Sequence, residues 1–307
     1  MKALIIGAAG FVGGYLIDIL NEKNFDVYAT KLPYENIQSD VKVYNLDLFD
    51  FAAICSLLDK IKPDVIFHLA AQSSVQVSWS KPQLTANVNI IGAINLFEAV
   101  RAKCLSAKVL AIGSSEEYGD IDYSNAVNEE VVPEPKNIYA LTKFTQEQLA
   151  RIYVQAYGLH ISMTRSFNHI GPRQSVRFVV ADLCNQVACI ERGERSPLIS
   201  IGNLSSYRDF SDVRDVVRAY VLLAEKGIDG EVYNVGSGKA VQIKEILDLI
   251  LSLAKTKIAV KVDPAKFRPI DIPRIEADIS KIKNIGWSPE IPLKQSVLDT
   301  LDYYRRV

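Results

Sequence analysis

Apolar positions along the chain change period, and the changes mark out its elements. Residues 2–7 form a short apolar run that predicts a buried strand. The turn GAAGFVG follows at 7–13, and then Leu16, Ile17, Ile19 and Leu20 fall on one face of a helix running to about residue 23. The pattern recurs, with strands predicted at 25–30, 41–46, 65–68, 109–112 and 159–164. Helices are predicted at about 82–103 and, behind the cap Asn137, to about 156. Strands without polar alternation are buried on both faces, so the pattern predicts an α/β chain with a doubly wound parallel sheet. The 82–103 helix is apolar over more than one stripe (Val88, Ile91, Ile94, Leu96, Phe97, Val100), as expected if its far side meets another subunit. After 164 the alternation fails. Residues 165–172 read as a loop, and 176–192, 202–215 and the stretch from 239 onward read as a smaller α/β lobe. The division expected is 1–165 and 166–307, with about 212–237 returning to the first unit.

Composition narrows the function. With 307 residues, 49% of them hydrophobic, the chain can bury a substantial core, and its net charge of −1 gives no basic field for nucleic acid or an anionic membrane. Local arginines must then meet any phosphate. The first apolar run passes straight into the glycine turn, without a cleavage signal and too short to span a bilayer, so a cytoplasmic location is expected. Cys55, Cys104, Cys184 and Cys189 form no C-x-x-C pair and read as reduced core residues. His68, His160 and His169 have no metal-ligand spacing, His68 reads as a satisfied buried imidazole, and Asp47 and Asp50 read as a helix entrance; no metal is expected.

The candidate chemistry lies at strand ends. Gly7, Gly10 and Gly13, with Phe11 and Val12 between them, open the first helix as a dinucleotide-binding turn does, where helix amides face a pyrophosphate. At the end of the second strand stand Thr30 and Lys31, with no acid until Glu35; a base there suits a ribose 2′-phosphate, so NADP(H) is favoured while NAD(H) stays open. Asp47 and Leu48 are placed to meet the adenine, and the small residues after Leu69, Ala70 and Ala71, let a cofactor lie along the backbone. Ser114, Ser115 and Glu116 follow the 109–112 strand, at the sheet edge where open α/β sheets bind ligands. Tyr139 and Lys143, the one Tyr-x-x-x-Lys pair in the sequence, stand one turn apart on the helix behind Asn137. Arg208 and Arg268 are candidates for a pyrophosphate, which a guanidinium fork matches.

With GAAGFVG, HLAAQ, the strand-end serine, Tyr-x-x-x-Lys and a late RPIDIP in this order, the chain resembles the extended short-chain dehydrogenases/reductases over essentially its whole length. GSSEEYG (113–119), RSFNHIGP (165–172), GNLSSYRDFSDVRD (202–215) and the G-W-x-P-E-I-P-L stretch (286–293) are similar to the GDP-4-keto-6-deoxy-D-mannose reductases. The resemblance implies a Rossmann-type sheet and reduction of a C4 ketone to GDP-6-deoxy-D-mannose (GDP-D-rhamnose). Tyr139 would be the proton donor, Lys143 would lower its pKa and hold the nicotinamide ribose, and Ser114 would hydrogen-bond the ketone oxygen. It places Ser115, Glu116, Asn168, Val179, Arg208, Arg268 and Asp271 against the sugar nucleotide, and implies a homodimer through the helices of Val88 and Tyr153. Three alternatives stay open. Glu116 stands where GDP-mannose 4,6-dehydratases keep a base, and Pro172-Arg173 departs toward them, since the reductases usually show glycine after that proline. The others are a sugar-nucleotide epimerase and a non-catalytic NADP-binding regulator.

Overall fold

The computed structural model describes residues 1–119, 121, 124–267, 270 and 272–307. In chain order the first half runs β1 (Lys2–Ile6), α1 (Phe11–Glu22), β2 (Asp26–Lys31), β3 (Lys42–Asn45), α2 (Phe51–Ile61), β4 (Val65–His68), α3 (Val75–Ser80), α4 (Pro82–Ala86), α5 (Gly92–Lys103), β5 (Lys108–Ser114) and α6 (Ile138–Tyr157). The second half runs β6 (His160–Ser166), β7 (Asn168–Ile170), α7 (Val179–Glu191), β8 (Leu198–Ile201), β9 (Tyr207–Asp212), α8 (Val213–Lys226), β10 (Val232–Val235), β11 (Ala240–Gln242), α9 (Ile243–Ser252), β12 (Ala259–Val262), α10 (Ser280–Asn284) and α11 (Leu293–Arg306).

Seven of these strands form a parallel sheet in the order β10-β6-β5-β4-β1-β2-β3. The strand order reverses between β1 and β4, which opens a crevice at their carboxyl ends. Period-two alternation assigns the sheet's two faces. Ala3 and Ile5 meet Leu16, Ile17 and Leu20 of α1 and Val216 and Tyr220 of α8, whereas Leu4 and Ile6 meet Ile54 and Leu58 of α2, Phe97 of α5 and Tyr153 of α6. Each such fully buried aliphatic side chain stabilises the fold by about 1.5–3 kcal/mol. Asp50 caps α2 through Ala53 N–H at 2.9 Å, as its reading as a helix entrance requires. Asn137 caps α6 through Ala140 N–H at 2.8 Å, and the helix stops at Gly158.

After β6 the chain builds a three-stranded sheet, β11-β9-β7, and a pair, β12-β8. These pack with α7, α9 and α11 around Ile170, Val187, Phe210, Leu247 and Leu301. Between the two excursions, α8 and β10 go back to the main sheet, where β10 pairs along β6.

Several expectations need correction. Residues 165–172 are not one loop: Arg165 and Ser166 extend β6, and Asn168–Ile170 is a strand paired to β9. The charge at Arg165 misleads because Glu147 neutralises it inside the protein. β5 likewise runs through Gly113 to Ser114, so Ser114 ends the strand instead of following it. The 82–103 helix is continuous but contains one over-wide turn at Asn87–Ile91. All four cysteines are free, yet only Cys184 is fully buried; Cys55 and Cys104 sit at a core margin, and Cys104 ends α5. His68 is buried but not satisfied, since neither ring nitrogen has a partner, and burial holds its pKa down at about 3.

Candidate active site

The cradle at the switch point is built from backbone. Gly7 has φ +81°, and a Cβ there would stand 2.6 Å from the Ala70 backbone, so the turn after β1 and the segment after β4 lie against each other. Gly7 N–H donates to Thr30 Oγ1 at 3.1 Å and Ala8 N–H to Thr30 O at 2.8 Å. Thr30 thereby holds the turn from β2. Gly10 precedes α1, which has no side-chain cap and no acid in its first turn. The amides at Phe11 and Val12 therefore present the positive end of a 12-residue helix without a competing carboxylate, while Gly13 N–H donates to Gly10 O at 3.1 Å. Lys31 ends β2, with Nζ 3.3 Å from Leu32 O. Asp47 and Leu48 follow β3, and Leu69, Ala70 and Ala71 follow β4, so the expected cofactor residues share one edge. This donor set and glycine cradle fit a dinucleotide.

Ser114 sits at the same edge. Its Oγ accepts Glu116 N–H at 3.2 Å, and its own N–H donates to Glu117 Oε1 at 2.6 Å. Gly113 is needed for this crossing, because a Cβ would fall 2.2 Å from Thr164 O and 2.5 Å from Glu117 Oε1. Tyr139 and Lys143 project from the start of α6, both buried. Burial pushes the Tyr139 phenol well above its ordinary pKa; a hydrogen bond with the Ser114 side chain opposes this, and Glu117 and Glu116 reinforce it. Lys143 donates to Ile112 O at 2.7 Å and to Gln146 Oε1 at 3.2 Å, and burial pulls it down to about 8 against the pull of Glu117. The expectation that Lys143 lowers the phenol's pKa is corrected: desolvation dominates Tyr139, and the ammonium is directed at a carbonyl and an amide.

Ser115 is buried in the single turn after Ser114, and Glu116 Oε2 accepts from Asn137 Nδ2 at 3.0 Å. Asn168 begins β7 beside Phe210, and Val179 opens α7. Arg208, on β9, donates to Tyr207 O at 2.8 Å and Ile272 O at 2.7 Å. Arg268 and Asp271 lie outside the described residues. Among the described residues no group of His, Cys, Asp and Glu could hold a metal, and no helix is long and apolar enough to cross a membrane.

Two buried networks escaped the sequence reading. Arg165 pairs with Glu147 through two 2.9 Å bonds and stands 3.9 Å from Glu117, joining the Ser114 turn to α6. Glu147 is eight residues after Tyr139 and four after Lys143, which puts it on their helix face, but that spacing does not name Arg165 as its partner. The second is centred on Asn89, in the wide turn. It accepts Gln72 N–H at 2.8 Å and donates to Gln72 O at 3.1 Å and Thr142 Oγ1 at 2.9 Å, and Thr142 in turn donates to Tyr139 O at 2.8 Å. No spacing rule marks it.

Comparison with known proteins agrees with this geometry. A family model described as GDP-mannose 4,6 dehydratase matches residues 4–300. The chain is 31% identical to a GDP-6-deoxy-D-mannose reductase of Pseudomonas aeruginosa, covering 100% of this chain and 98% of that protein. It is 30% identical to GDP-mannose 4,6 dehydratase 1 of Arabidopsis thaliana, covering 98% and 88%. Among solved structures, RMD from Pseudomonas aeruginosa complexed with NADPH superposes with a TM-score of 0.88 at 30% identity, covering 100% of both chains. The Thermus thermophilus UDP-glucose 4-epimerase complex with NAD gives 0.90 at 28% identity, covering 99% of each.

Proposed function

The chain belongs to the GDP-mannose 4,6 dehydratase family, and from that premise we propose that it is an NAD(P)H-dependent reductase converting GDP-4-keto-6-deoxy-D-mannose to GDP-6-deoxy-D-mannose (GDP-D-rhamnose). The observation that carries the reading is end-to-end likeness, in sequence and in fold, to a reductase and to an NADPH complex.

When bound, the nicotinamide supplies a hydride to C4 of the sugar. Gly7, Gly10, Phe11, Val12 and Gly13 hold the pyrophosphate, Lys31 faces the 2′-phosphate that favours NADP(H), and Asp47, Leu48 and Leu69 to Ala71 line the rest. Ser114 donates to the C4 oxygen as negative charge builds there, and Tyr139 gives that oxygen its proton. A phenol kept protonated by burial suits a donor, and Lys143, anchored on the Ile112 carbonyl, holds the nicotinamide ribose. Ser115, Glu116, Asn168, Val179 and Arg208 meet the sugar nucleotide, with Arg268 and Asp271 assigned by motif alone. Residues 1–165 with 212–237 form the cofactor-binding unit, and 166–307 supply most of the substrate lobe.

A cytoplasmic homodimer completes the proposal. Exposed Leu84, Ile91, Leu141 and Ile152, on and between α4 and α6, supply an apolar face for a second copy.

Glu116 supports a second reading, since a carboxylate beside Tyr139 is what C5 proton removal in a dehydratase needs. One assay separates the two. Net NADPH oxidation with the 4-keto-6-deoxy sugar nucleotide, and none with GDP-mannose, is the reductase outcome. Conversion of GDP-mannose without net cofactor change is the dehydratase outcome.

A further inference from the structure

The end of β7 and the loop that leads from it to α7 cross the first helix and are fastened to it at three points. His169 stacks on Phe11, with ring centroids 5.9 Å apart and planes 6° from parallel. Tyr15 donates its hydroxyl to Pro172 O at 2.8 Å. The Arg173 guanidinium lies 4.5 Å from the centre of the Tyr15 ring and 3.8 Å from Asp18. At the lobe side Gln174 Nε2 donates to His169 O at 2.7 Å, and Gln174 O accepts from the Tyr304 hydroxyl. The loop therefore joins Asn168 at one end to the phosphate-turn helix at the other.

Arg173 holds φ +71°, in the left-handed region that disfavours a side chain. The two other described non-glycine residues with positive φ, Asn24 and Lys62, stand at helix ends, where this conformation commonly closes a helix. Arg173 closes no helix, and such a residue persists where its contacts over-determine it. Its ion pair is half-exposed on both sides and contributes little, so the guanidinium over Tyr15 is the main fastening.

We propose that Arg173 is a positioning residue: by clamping the loop onto α1 it sets Asn168 relative to the cofactor before the sugar nucleotide arrives. This rests on the reading of the site as one for a nicotinamide cofactor and a nucleotide sugar. An exposed cation over a half-buried ring changes an equilibrium by roughly two- to fivefold, which sets the size of the effect.

The test is steady-state kinetics and thermal unfolding of wild type, Arg173→Ala, Arg173→Lys and Arg173→Gly with NADPH and GDP-4-keto-6-deoxy-D-mannose. Arg173→Ala raises the KM for the sugar nucleotide roughly two- to fivefold, with kcat and the NADPH KM within about twofold of wild type. Arg173→Lys recovers most of that loss, because an ammonium can lie over the same ring. Arg173→Gly, free of the backbone cost, unfolds no lower than wild type yet keeps the raised KM. An unchanged KM in Arg173→Ala, or a normal KM in Arg173→Gly, overturns the role. If wild type instead converts GDP-mannose, the reductase reading fails, and the same KM split measured with GDP-mannose decides Arg173 separately. Turnover of neither substrate by wild type refutes both.

Discussion

The backbone N–H of Ser114 is held by the carboxylate of Glu117 at 2.6 Å, and Glu117 is fully buried. Its other oxygen has no hydrogen-bond partner and lies 3.9 Å from Arg165. Through Glu147 that guanidinium reaches the helix of Tyr139 and Lys143, so one buried cation sits between the two arms of the site.

Removing this carboxylate should separate fold from function. Glu117→Ala leaves the Ser114 amide unpaired and should cost about 1–3 kcal/mol, with lower turnover. Glu117→Gln keeps an acceptor. Burial, then Glu147, raise the Glu117 pKa, so its contribution is full below its ordinary 4.5 and is lost as pH rises through the folded value. The glutamine variant should therefore gain on wild type as pH climbs above 4.5. Urea unfolding at pH 5 and pH 8 checks the sign.

Tyr139→Phe should lower kcat by at least about 100-fold, the scale of a lost general acid, while NADPH still quenches protein fluorescence. Wild-type turnover in this variant would remove the tyrosine from the chemistry.

Lys143→Met tests the buried ammonium. Its folded pKa of about 8 lies below the ordinary 10.5, so the lysine's contribution is full above 10.5 and is lost as pH falls through 8. At pH 7 the methionine variant should be inactive but more stable by up to roughly 3 kcal/mol, an advantage that fades between pH 8 and 10.5.

His68, unpartnered between Phe97 and Lys143, must stay neutral. With a folded pKa of about 3 against 6.5 unfolded, stability present above pH 6.5 is lost as pH falls toward 3. By pH 5 the loss from this group alone should reach about 2 kcal/mol. His68→Leu should abolish that part of the acid slope, and denaturation midpoints at pH 7 and 5 in both proteins would measure it.

Asn89→Ala breaks the link from Gln72 to the Tyr139 carbonyl. Unpaired backbone groups at Gln72 should cost roughly 2–4 kcal/mol, and the NADPH KM should rise if Leu69 to Ala71, which Gln72 follows, line the cofactor as proposed. A normal Tm would show that water or a neighbour replaces the amide.

Much of the first half was legible because β1, β4 and the start of β5 are apolar runs and some of its helices carry caps, as at Asp50 and Asn137. The placement of the candidate site at one sheet edge was legible where residue type and local spacing suffice: Gly7 to Gly13, Ser114, and Tyr139 with Lys143. Long-range pairing was not. Nothing near Arg165 in the sequence indicates that a carboxylate on α6 lets it sit in a central strand, so that stretch read as loop. The pKa logic at Lys143 failed for a related reason: one helical turn brings two side chains to the same face but leaves open which acceptor the ammonium takes. Asn89 was hidden by an over-wide turn that a 3.6-residue period cannot anticipate.

The return of β10 to β6 has a consequence for synthesis of the protein. Until residues 232–235 have left the ribosome, β6 presents an open row of amides and carbonyls, an edge that pairs readily with a stranger. Sixty-five residues lie between Ser166 and Val232, about 3–13 s of translation at ordinary elongation rates. During that interval the nascent chain carries a nearly complete sheet with a sticky margin at β6 that the finished fold covers, so slow codons or a truncation between these strands should favour aggregation over loss of catalysis alone.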